Sequence, residues 1–370
     1  MKKNRFKLTE LFCGPGGLGL GALLASVSQN GITYSIKPVW ANDIDEDACR
    51  TYAKNIHNGE SVGVVCSPVE KINFEKVPAF DALAFGFPCN DFSVVGEQKG
   101  FHGKYGPLYT YGVKAINTHN PMWFIAENVS GLQSANNGTA FMKILEDLEK
   151  AGKGYNLTAH LYKFEEYGVP QYRRRLVIIG IRKDLGLKFK VPAPTTLNKH
   201  KTAKQALEEP PVPPDAPNNE VTRQSETVVE RLKCIPPGEN AWYEGIPEHL
   251  KLNVKKAKMS QIYKRLHSDR PAYTITGSGG GGTHVYHWSE NRALTNRERA
   301  RLQSFPDSFI FEGSKESVRK QIGMAVPPKA AQVIIEAVLK TFADIPYEWV
   351  PAKTANGNGN GNRQEALFGF

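Results

Sequence analysis

Residues 7–182 alternate between strand-like apolar segments and segments with helical spacing, and this alternation constrains the fold more than any other feature of the chain. The strand-like segments lie at residues 7–12, 36–41, 62–66, 80–85, 123–126, 157–162 and 176–181. In one intervening segment, Phe141, Ile144, Leu145 and Leu148 follow the i, i+3, i+4, i+7 spacing of an amphipathic helix. The pattern predicts a doubly wound α/β fold, whose mostly parallel, seven-stranded sheet binds ligands at the carboxyl ends of its strands.

The alternation stops near residue 190, and nine prolines follow between residues 192 and 237. They predict a smaller, loop-rich second domain. Beyond it, Thr295 and Glu298 have the spacing of a helix-capping box. We therefore predict an α/β domain at 1–188, a loop-rich domain at 189–312, a return to the first domain at 313–350 and a flexible tail at 351–370.

The charge of the chain indicates the type of partner. The formal net charge is +10, which favours a polyanionic partner, most simply nucleic acid. Between residues 251 and 270 there are seven lysines and arginines and one acid. A cluster of this kind suits contacts with phosphate groups.

Several classes of protein are disfavoured by composition. There is no apolar run of about 18 residues for a membrane span, and no apolar segment follows the basic start as in a signal peptide. The five cysteines are scattered without a C-x-x-C pair, so we expect neither a disulfide framework nor a metal site. These features predict a protein of the reducing cytoplasm without membrane attachment, and we expect it to be a monomer.

A glycine-rich loop follows the first predicted strand. Gly14, Gly16 and Gly19 satisfy the G-x-G-x-x-G pattern, in which glycines let the backbone turn sharply close to a ligand. Asp43 ends the second predicted strand, where a carboxylate binds ribose hydroxyls, and Asp45 is the alternative. The pattern predicts an adenosine site and leaves NAD, S-adenosylmethionine and a purely structural turn open.

Three further segments carry candidate catalytic groups. Cys89 follows Pro88 just after the fourth predicted strand, and a thiol on such a loop suits a nucleophile, although a buried inert cysteine is the alternative. Glu127 ends the fifth predicted strand as a candidate acid. Arg173 and Arg175 precede the seventh, and strand alternation predicts that they share one side.

In their order along the chain, these four segments resemble the motifs of the DNA (cytosine-5) methyltransferase family of bacterial and phage type. Residues 292–306 and 321–328 are similar to the family's ninth and tenth motifs. The resemblance implies a Rossmann-like class I methyltransferase domain that binds S-adenosyl-L-methionine, with residues 189–312 as a target-recognition domain. It implies cofactor contacts from Phe12, Gly14, Pro15, Gly16, Gly17, Asp43, Ile44, Pro88, Leu108 and Ala325.

The resemblance also implies a reaction on double-stranded DNA. Cys89 would add to C6 of a flipped-out cytosine, and Glu127 would protonate or hydrogen-bond ring N3. Arg175 would bind O2 of the base, and Arg173 would brace the site. The methyl group would pass to C5, either within a restriction–modification system or as solitary DNA methylation.

Three positions depart from the family pattern. Met324 stands where asparagine is usual, so that Ala325 would contribute to the cofactor site through its backbone. No acid stands near Ser67 for the adenine amino group, and Asn90 replaces a frequent glutamine beside the nucleophile. The first two differences bear on cofactor affinity rather than on the class of reaction.

Other functions stay open at this point. An enzyme of the same chemistry could act on tRNA, and a non-catalytic DNA-binding protein could keep the fold without the reaction. A nicotinamide oxidoreductase would explain the glycine loop alone. Cys89, Glu127 and Arg175 are all present, which argues against the non-catalytic protein. The length of the recognition region and the basic stretch at residues 251–270 favour DNA over tRNA.

The tail ends in a short apolar motif. Gln364, Leu367 and Phe368 resemble the peptide by which bacterial replication proteins dock on the sliding clamp. A flexible Gly/Asn segment precedes them. The motif predicts a tether to replicating DNA, and a tail that packs back on the protein is the alternative.

Overall fold

The computed structural model describes residues 3–59, 63–87, 108–253, 259–278 and 280–354, with residues 136 and 137 described by their backbone alone. The chain divides into two compact units. The first, here called the sheet unit, comprises Met1–Lys163, Arg174–Pro194 and Ala330–Phe370. The second, the loop unit, comprises Phe164–Arg173 and Thr195–Lys329, so the chain enters it twice.

Within the described residues, the sheet unit contains an eight-stranded sheet. Its strands are β1 (Arg5–Leu11), β2 (Ser26–Gln29), β3 (Ile32–Asp43), β4 (Val64–Cys66), β5 (Ala82–Phe85), β6 (Trp123–Val129), β7 (Tyr155–Lys163) and β8 (Arg174–Arg182). They lie in the order β2-β3-β1-β5-β6-β8-β7, and β4 pairs with the end of β3. The pairs from β3 to β6 are parallel, whereas β8 is antiparallel to β6 and β7. This sheet confirms the predicted fold class, and it brings the carboxyl ends of β1, β3, β5 and β6 to one edge.

Within the eight-stranded sheet, the sequence analysis missed β2, which forms a hairpin with β3. It also missed a two-stranded antiparallel sheet formed by Val191–Pro192 and Trp349–Val350. Asn30 and Gly31 connect β2 to β3, and both have left-handed backbone angles, with φ of 50° and 75°. A two-residue hairpin turn with positive φ at both positions strongly favours the Asn-Gly dipeptide. That dipeptide was therefore the signal from which the additional strand could have been predicted.

The described residues contain nine α-helices, which are numbered here in chain order. They are α1 (Gly17–Leu24), α2 (Glu46–Ile56), α3 (Tyr109–His119), α4 (Thr139–Lys150), α5 (Ala203–Glu208), α6 (Glu226–Lys233), α7 (Asn296–Leu302), α8 (Lys315–Met324) and α9 (Pro328–Ala343). In α4, Phe141, Ile144, Leu145 and Leu148 are all buried, which confirms the predicted amphipathic helix. They join the core that also contains Phe85 and Phe124 of the sheet.

The segment Lys315–Ala343 has the length and apolar composition of a membrane span. In its most apolar window, however, 67% of the residues are buried inside the protein, as in a core helix of a globular protein. The segment is also divided, because α8 ends at Met324 and Pro328 begins α9. Proline at a helix start lacks only an N–H that would be unpaired there in any case.

The loop unit has little regular structure, and capping interactions fix its short helices. Thr295 caps α7: its Oγ1 accepts from Glu298 N at 3.1 Å, while Glu298 Oε2 accepts from Thr295 N at 2.7 Å. This pair confirms the predicted capping box.

Buried arginines hold the irregular segments of the loop unit together. Arg297, which is fully buried, donates to the backbone carbonyls of Pro217, Pro306 and Phe309 at 2.9, 2.9 and 2.6 Å. Arg265 donates to the carbonyls of Leu232, Ile235, His287 and Glu290. We call these arginines carbonyl clamps, because one planar guanidinium satisfies several buried acceptors from segments distant in sequence.

Candidate active site

The glycine loop joins β1 to α1 at the carboxyl edge of the sheet. Phe12, Gly14 and Gly16 all have left-handed backbone angles, with φ of 54°, 53° and 94°. A Cβ atom on Gly16 would lie 2.9 Å from Cδ2 of Tyr52, so both its conformation and its surroundings require glycine. Phe12 adopts the same region at an energetic cost and packs against the core of the sheet unit.

Asp43, the last residue of β3, is hydrogen-bonded to the glycine loop. Its Oδ2 accepts from Gly14 N at 2.8 Å, and its Oδ1 accepts from Asp45 N at 3.0 Å. Burial raises the pKa of Asp43, while the backbone donors oppose that rise. Each carboxylate oxygen has a further lone pair, so the group can accept hydrogen bonds from the two hydroxyls of a ribose.

The alternative candidate, Asp45, has another task. Its side chain caps α2 by accepting from Ala48 N at 3.2 Å. Between the two aspartates, Ile44 is 69% exposed, which is unusual for a large apolar side chain beside a partly buried carboxylate. Asp43 thus offers carboxylate oxygens that can accept hydrogen bonds from hydroxyls, and Ile44 offers an apolar surface beside them. An adenosine requires both.

The structure brings most of the predicted cofactor residues together in the sheet unit. Phe12, Gly14, Pro15, Gly16 and Gly17 form the loop, and Asp43 and Ile44 follow β3. Leu108 is buried at the start of α3, in the core cluster against which Phe12 packs. Ala325 belongs to the loop unit, where it ends α8, and Pro88 lies outside the described residues.

A second carboxyl group lies beneath the glycine loop. Glu10 is 3% exposed, and its Oε2 accepts from the hydroxyl of Tyr52 at 3.2 Å. A Cβ atom on Gly19 of α1 would lie 2.8 Å from the same oxygen. Burial, with a smaller contribution from Asp43, raises the pKa of Glu10 to about 8, although the Tyr52 hydrogen bond opposes this.

This burial predicts a pH-dependent stability. The pKa of Glu10 is about 8 in the folded protein and about 4.5 ordinarily, so the folded state binds more protons between these values. The free energy of unfolding should therefore fall as pH rises through this window, by up to about 1.4 kcal/mol per pH unit. In Glu10→Gln this contribution should be absent, as measured by urea unfolding at pH 5, 7 and 9.

Glu149→Gln is the matched control, because Glu149 is a partly exposed carboxylate of the same unit that pairs with Lys183. It should keep the pH dependence of the wild type. An identical pH dependence in Glu10→Gln would show that Glu10 is not the titrating group.

The predicted acid and one predicted arginine form an ion pair. Arg175 lies at the start of β8 opposite Val129 of β6, and its Nε is 2.9 Å from Oε1 of Glu127. The side chains of Glu127 and Arg175 are only 13% and 16% exposed. The antiparallel β6–β8 pair therefore sets a carboxyl group and a guanidinium side by side at the carboxyl end of β6.

The same strand end holds the segment that leads to Cys89. Asn128 is buried, and its Nδ2 donates to the carbonyl of Phe87 at 3.2 Å while its Oδ1 accepts from Val129 N at 2.8 Å. A Cβ atom on Gly86 would lie 3.2 Å from Oε2 of Glu127, so a glycine keeps this approach open. Cys89 lies outside the described residues, but the backbone two residues before it is anchored beside Glu127.

Asn128 is a positioning residue to which the sequence analysis gave no role. Its place directly after Glu127 was the available signal. An amide at a strand end can bridge two backbone groups that a purely apolar residue would leave unpaired.

Two other thiols of the sheet unit are poorly suited to be the nucleophile. Burial and the neighbouring carboxylates Asp43 and Glu10 raise the pKa of Cys13 well above its usual range. Burial also raises the pKa of Cys49, with a contribution from the thiol of Cys66. A raised pKa suppresses the thiolate, which is the reactive form.

Arg173 occupies a different environment from Arg175. It belongs to the loop unit, is 1% exposed and donates to the carbonyls of Ile275, Gly323 and Ala325 at 3.0, 2.9 and 3.1 Å. Because β8 begins at Arg174, the expected strand alternation does not extend to Arg173. Its guanidinium is a carbonyl clamp on the segment that contains Ala325.

Comparisons with known proteins agree with this geometry. The sequence profile of the family described as C-5 cytosine-specific DNA methylase matches residues 6–340. The chain is 59% identical over 356 residues to the type II methyltransferase M.BbvI of Brevibacillus brevis, covering 94% of this chain and 95% of that protein. It is 41% identical over 350 residues to the type II methyltransferase M.NgoFVII of Neisseria gonorrhoeae, covering 92% and 88%.

A solved structure shares the fold. It is a protein of an E. coli prophage, described as a DNA modification methyltransferase, with a TM-score of 0.65 and 23% identity. The match covers 91% of this chain and 99% of that one. The similarity therefore extends over nearly the whole length of the prophage protein.

Proposed function

Because the chain belongs to the family of C-5 cytosine-specific DNA methylases, we propose that Cys89, Glu127 and Arg175 carry a methyl transfer to C5 of cytosine in double-stranded DNA. The enzyme is a DNA (cytosine-5-)-methyltransferase. The observation that supports the assignment of residues is the Glu127–Arg175 ion pair, at 2.9 Å, beside the anchored segment that leads to Cys89. Relatives named as type II methyltransferases support a role as the modification enzyme of a restriction–modification system.

The glycine loop and Asp43 fit S-adenosyl-L-methionine as the cofactor. When bound, this cofactor supplies an activated methyl group. Asp43 would accept hydrogen bonds from the ribose hydroxyls of the cofactor, and Ile44 and Phe12 would contact its apolar surfaces. The left-handed backbone at Gly14 and Gly16 would let the cofactor approach the main chain closely.

The catalytic groups would act on the base itself. Addition of the Cys89 thiolate to C6 makes C5 nucleophilic, and a proton or hydrogen bond from protonated Glu127 at ring N3 favours that addition. After methyl transfer, loss of the proton from C5 restores the C5–C6 double bond and releases the Cys89 thiolate. Arg175 would bind O2 and stabilise the negative charge that develops on the ring. Arg173 would act only indirectly, as a positioning residue that holds the Ala325 segment.

A cytosine inside a duplex cannot reach these groups, so the target base must leave the stack. Unstacking costs a few kcal/mol, which contacts between basic side chains and DNA phosphates can offset. We assign recognition of the target sequence to residues 189–312, most of which belong to the loop unit.

The test is methyl transfer to defined polymers. Purified protein with a labelled methyl donor should modify duplex DNA and not tRNA, and bisulfite sequencing should find protected cytosines in one short sequence context. Labelling of tRNA alone would establish the alternative substrate. Cofactor binding without transfer to either polymer would indicate a non-catalytic homologue.

We also propose that the end of the tail binds the bacterial sliding clamp through Gln364, Leu367 and Phe368. These residues lie outside the described part of the chain, and the sequence motif alone supports the proposal. Deleting residues 364–370 should abolish capture of purified clamp by the enzyme. Equal capture of the clamp by the full-length and truncated enzymes would contradict the proposal. Light scattering should show that both enzymes are monomers.

A further inference from the structure

Two arginines of the loop unit differ from the carbonyl clamps. Arg299 of α7 is 2% exposed, yet in the described residues its side chain makes one hydrogen bond, from Nη2 to Nδ1 of His284 at 3.2 Å. The Nε of Arg319 in α8 is buried and has no hydrogen-bond partner in the described part of the chain. The ion pair of Arg319 is with Glu316, at 3.6 Å, and the Glu316 side chain is 86% exposed.

The surroundings of the two arginines are cationic. Burial and the charges of Arg299 and Arg319 lower the pKa of His284 to about 4, so the imidazole is neutral at pH 7. Burial and the charge of Arg319 lower the pKa of Arg299 to about 10, so this guanidinium stays charged. The nearby carboxylate of Glu298 is already engaged by the guanidinium of Arg292, at 2.7 and 2.8 Å.

Two neighbouring positive charges in a buried setting are unfavourable unless an anion neutralises them. Arg297 and Arg265 avoid part of this cost because each guanidinium donates to at least three main-chain carbonyls. Arg299 and Arg319 keep unused donors, and the planar donor edge of a guanidinium matches the oxygen atoms of a phosphate. Arg319 remains 15% exposed, so a phosphate can approach it from solvent.

We propose that Arg319, supported by Arg299 and His284, binds a phosphate group of the DNA backbone. The inference rests on the proposed function for its ligand, since duplex DNA is the polyanion on which the enzyme acts. Lys320, the next residue along α8, is exposed and adds a further positive charge to this helix. A contact with the backbone would position the duplex without reading its sequence.

The proposal is tested with inorganic phosphate and with duplex DNA. Millimolar phosphate should raise the melting temperature of the wild type but not that of Arg319→Ala. A plot of log affinity for duplex DNA against log salt concentration has a negative slope. In Arg319→Ala, the magnitude of this slope should fall by about 0.9. Between about 50 and 200 mM salt, the variant should therefore lose roughly 3.5-fold less affinity than the wild type.

Two further variants serve as controls. Arg223→Ala removes an exposed arginine of the same unit and should keep the response to phosphate. Arg319→Lys keeps the charge while losing the planar fork, so it should keep the salt slope and bind DNA more weakly. Thermal unfolding of both Arg319 variants should give cooperative transitions, which would show that substitution at this position is compatible with the fold.

The outcomes separate the possibilities. A phosphate response lost in Arg319→Ala with an unchanged salt slope would mean a site for small anions and would overturn the DNA assignment. No phosphate response in the wild type, together with an unchanged slope, would overturn the site itself. Failure of the proposed function would instead leave the wild type unable to methylate cytosine in any duplex.

Discussion

The Cys89→Ser variant should lose at least about a thousandfold in kcat for methyl transfer to duplex DNA, which corresponds to about 4 kcal/mol of transition-state stabilisation. A thiol ionises readily enough near neutral pH to act as a nucleophile, whereas a serine hydroxyl stays almost wholly protonated at that pH. The two side chains differ in one atom, so binding of DNA and cofactor should be retained. Transfer of a labelled methyl group under saturating conditions measures the effect.

Cys66→Ser is the matched control. Cys66 is an exposed cysteine of the same unit at the end of β4, and its replacement should leave kcat unchanged. Bisulfite sequencing of plasmids from expressing cells gives an independent result, with protection expected for the wild type and Cys66→Ser alone. Protection with Cys89→Ser would remove Cys89 from the mechanism.

The Glu127→Gln variant should lower kcat about 10²- to 10⁴-fold, the range for removing a general acid. Glutamine keeps the shape of the side chain and can still contact Arg175, but it cannot transfer a proton to ring N3. Because the target base can still be flipped and bound, the affinity for DNA should stay within a few-fold of the wild type. Pre-steady-state methyl transfer and DNA binding, measured on the same preparation, separate these two quantities.

Glu149→Gln again provides the comparison, since it replaces a carboxylate of the sheet unit that pairs with Lys183 at 3.0 Å. It should leave both quantities unchanged. If Glu127→Gln instead weakened DNA binding in proportion to kcat, the ion pair with Arg175 would serve binding of the base rather than catalysis.

Local patterns predicted the features that depend on neighbouring residues. The spacing of Phe141 to Leu148 predicted α4, and Thr295 with Glu298 predicted the cap of α7, because each feature is complete within one or two helical turns. The Asn30-Gly31 turn belongs to the same class and could have been predicted. The edge of the sheet at which Asp43 and Glu127 collect followed from the alternation of strands and helices.

Other features depend on contacts that sequence spacing does not encode. Arg173 meets Ala325, which lies 152 residues further along the chain, and its three carbonyl partners distinguish it from Arg175 two positions away. The burial of Glu10 beneath Gly19 likewise arises only when α1 packs on the sheet. Both arginines belong to one basic run, and tertiary packing alone divides their roles.

The carbonyl clamps have a consequence for how such an enzyme can diverge. Arg297 and Arg265 hold main-chain oxygen atoms, and a main-chain oxygen is the same whichever amino acid carries it. Exposed side chains in the loops around these contacts could be exchanged while the guanidinium contacts persist. A scaffold fastened in this way can acquire a new target sequence through loop substitutions, without first finding a new way to fold.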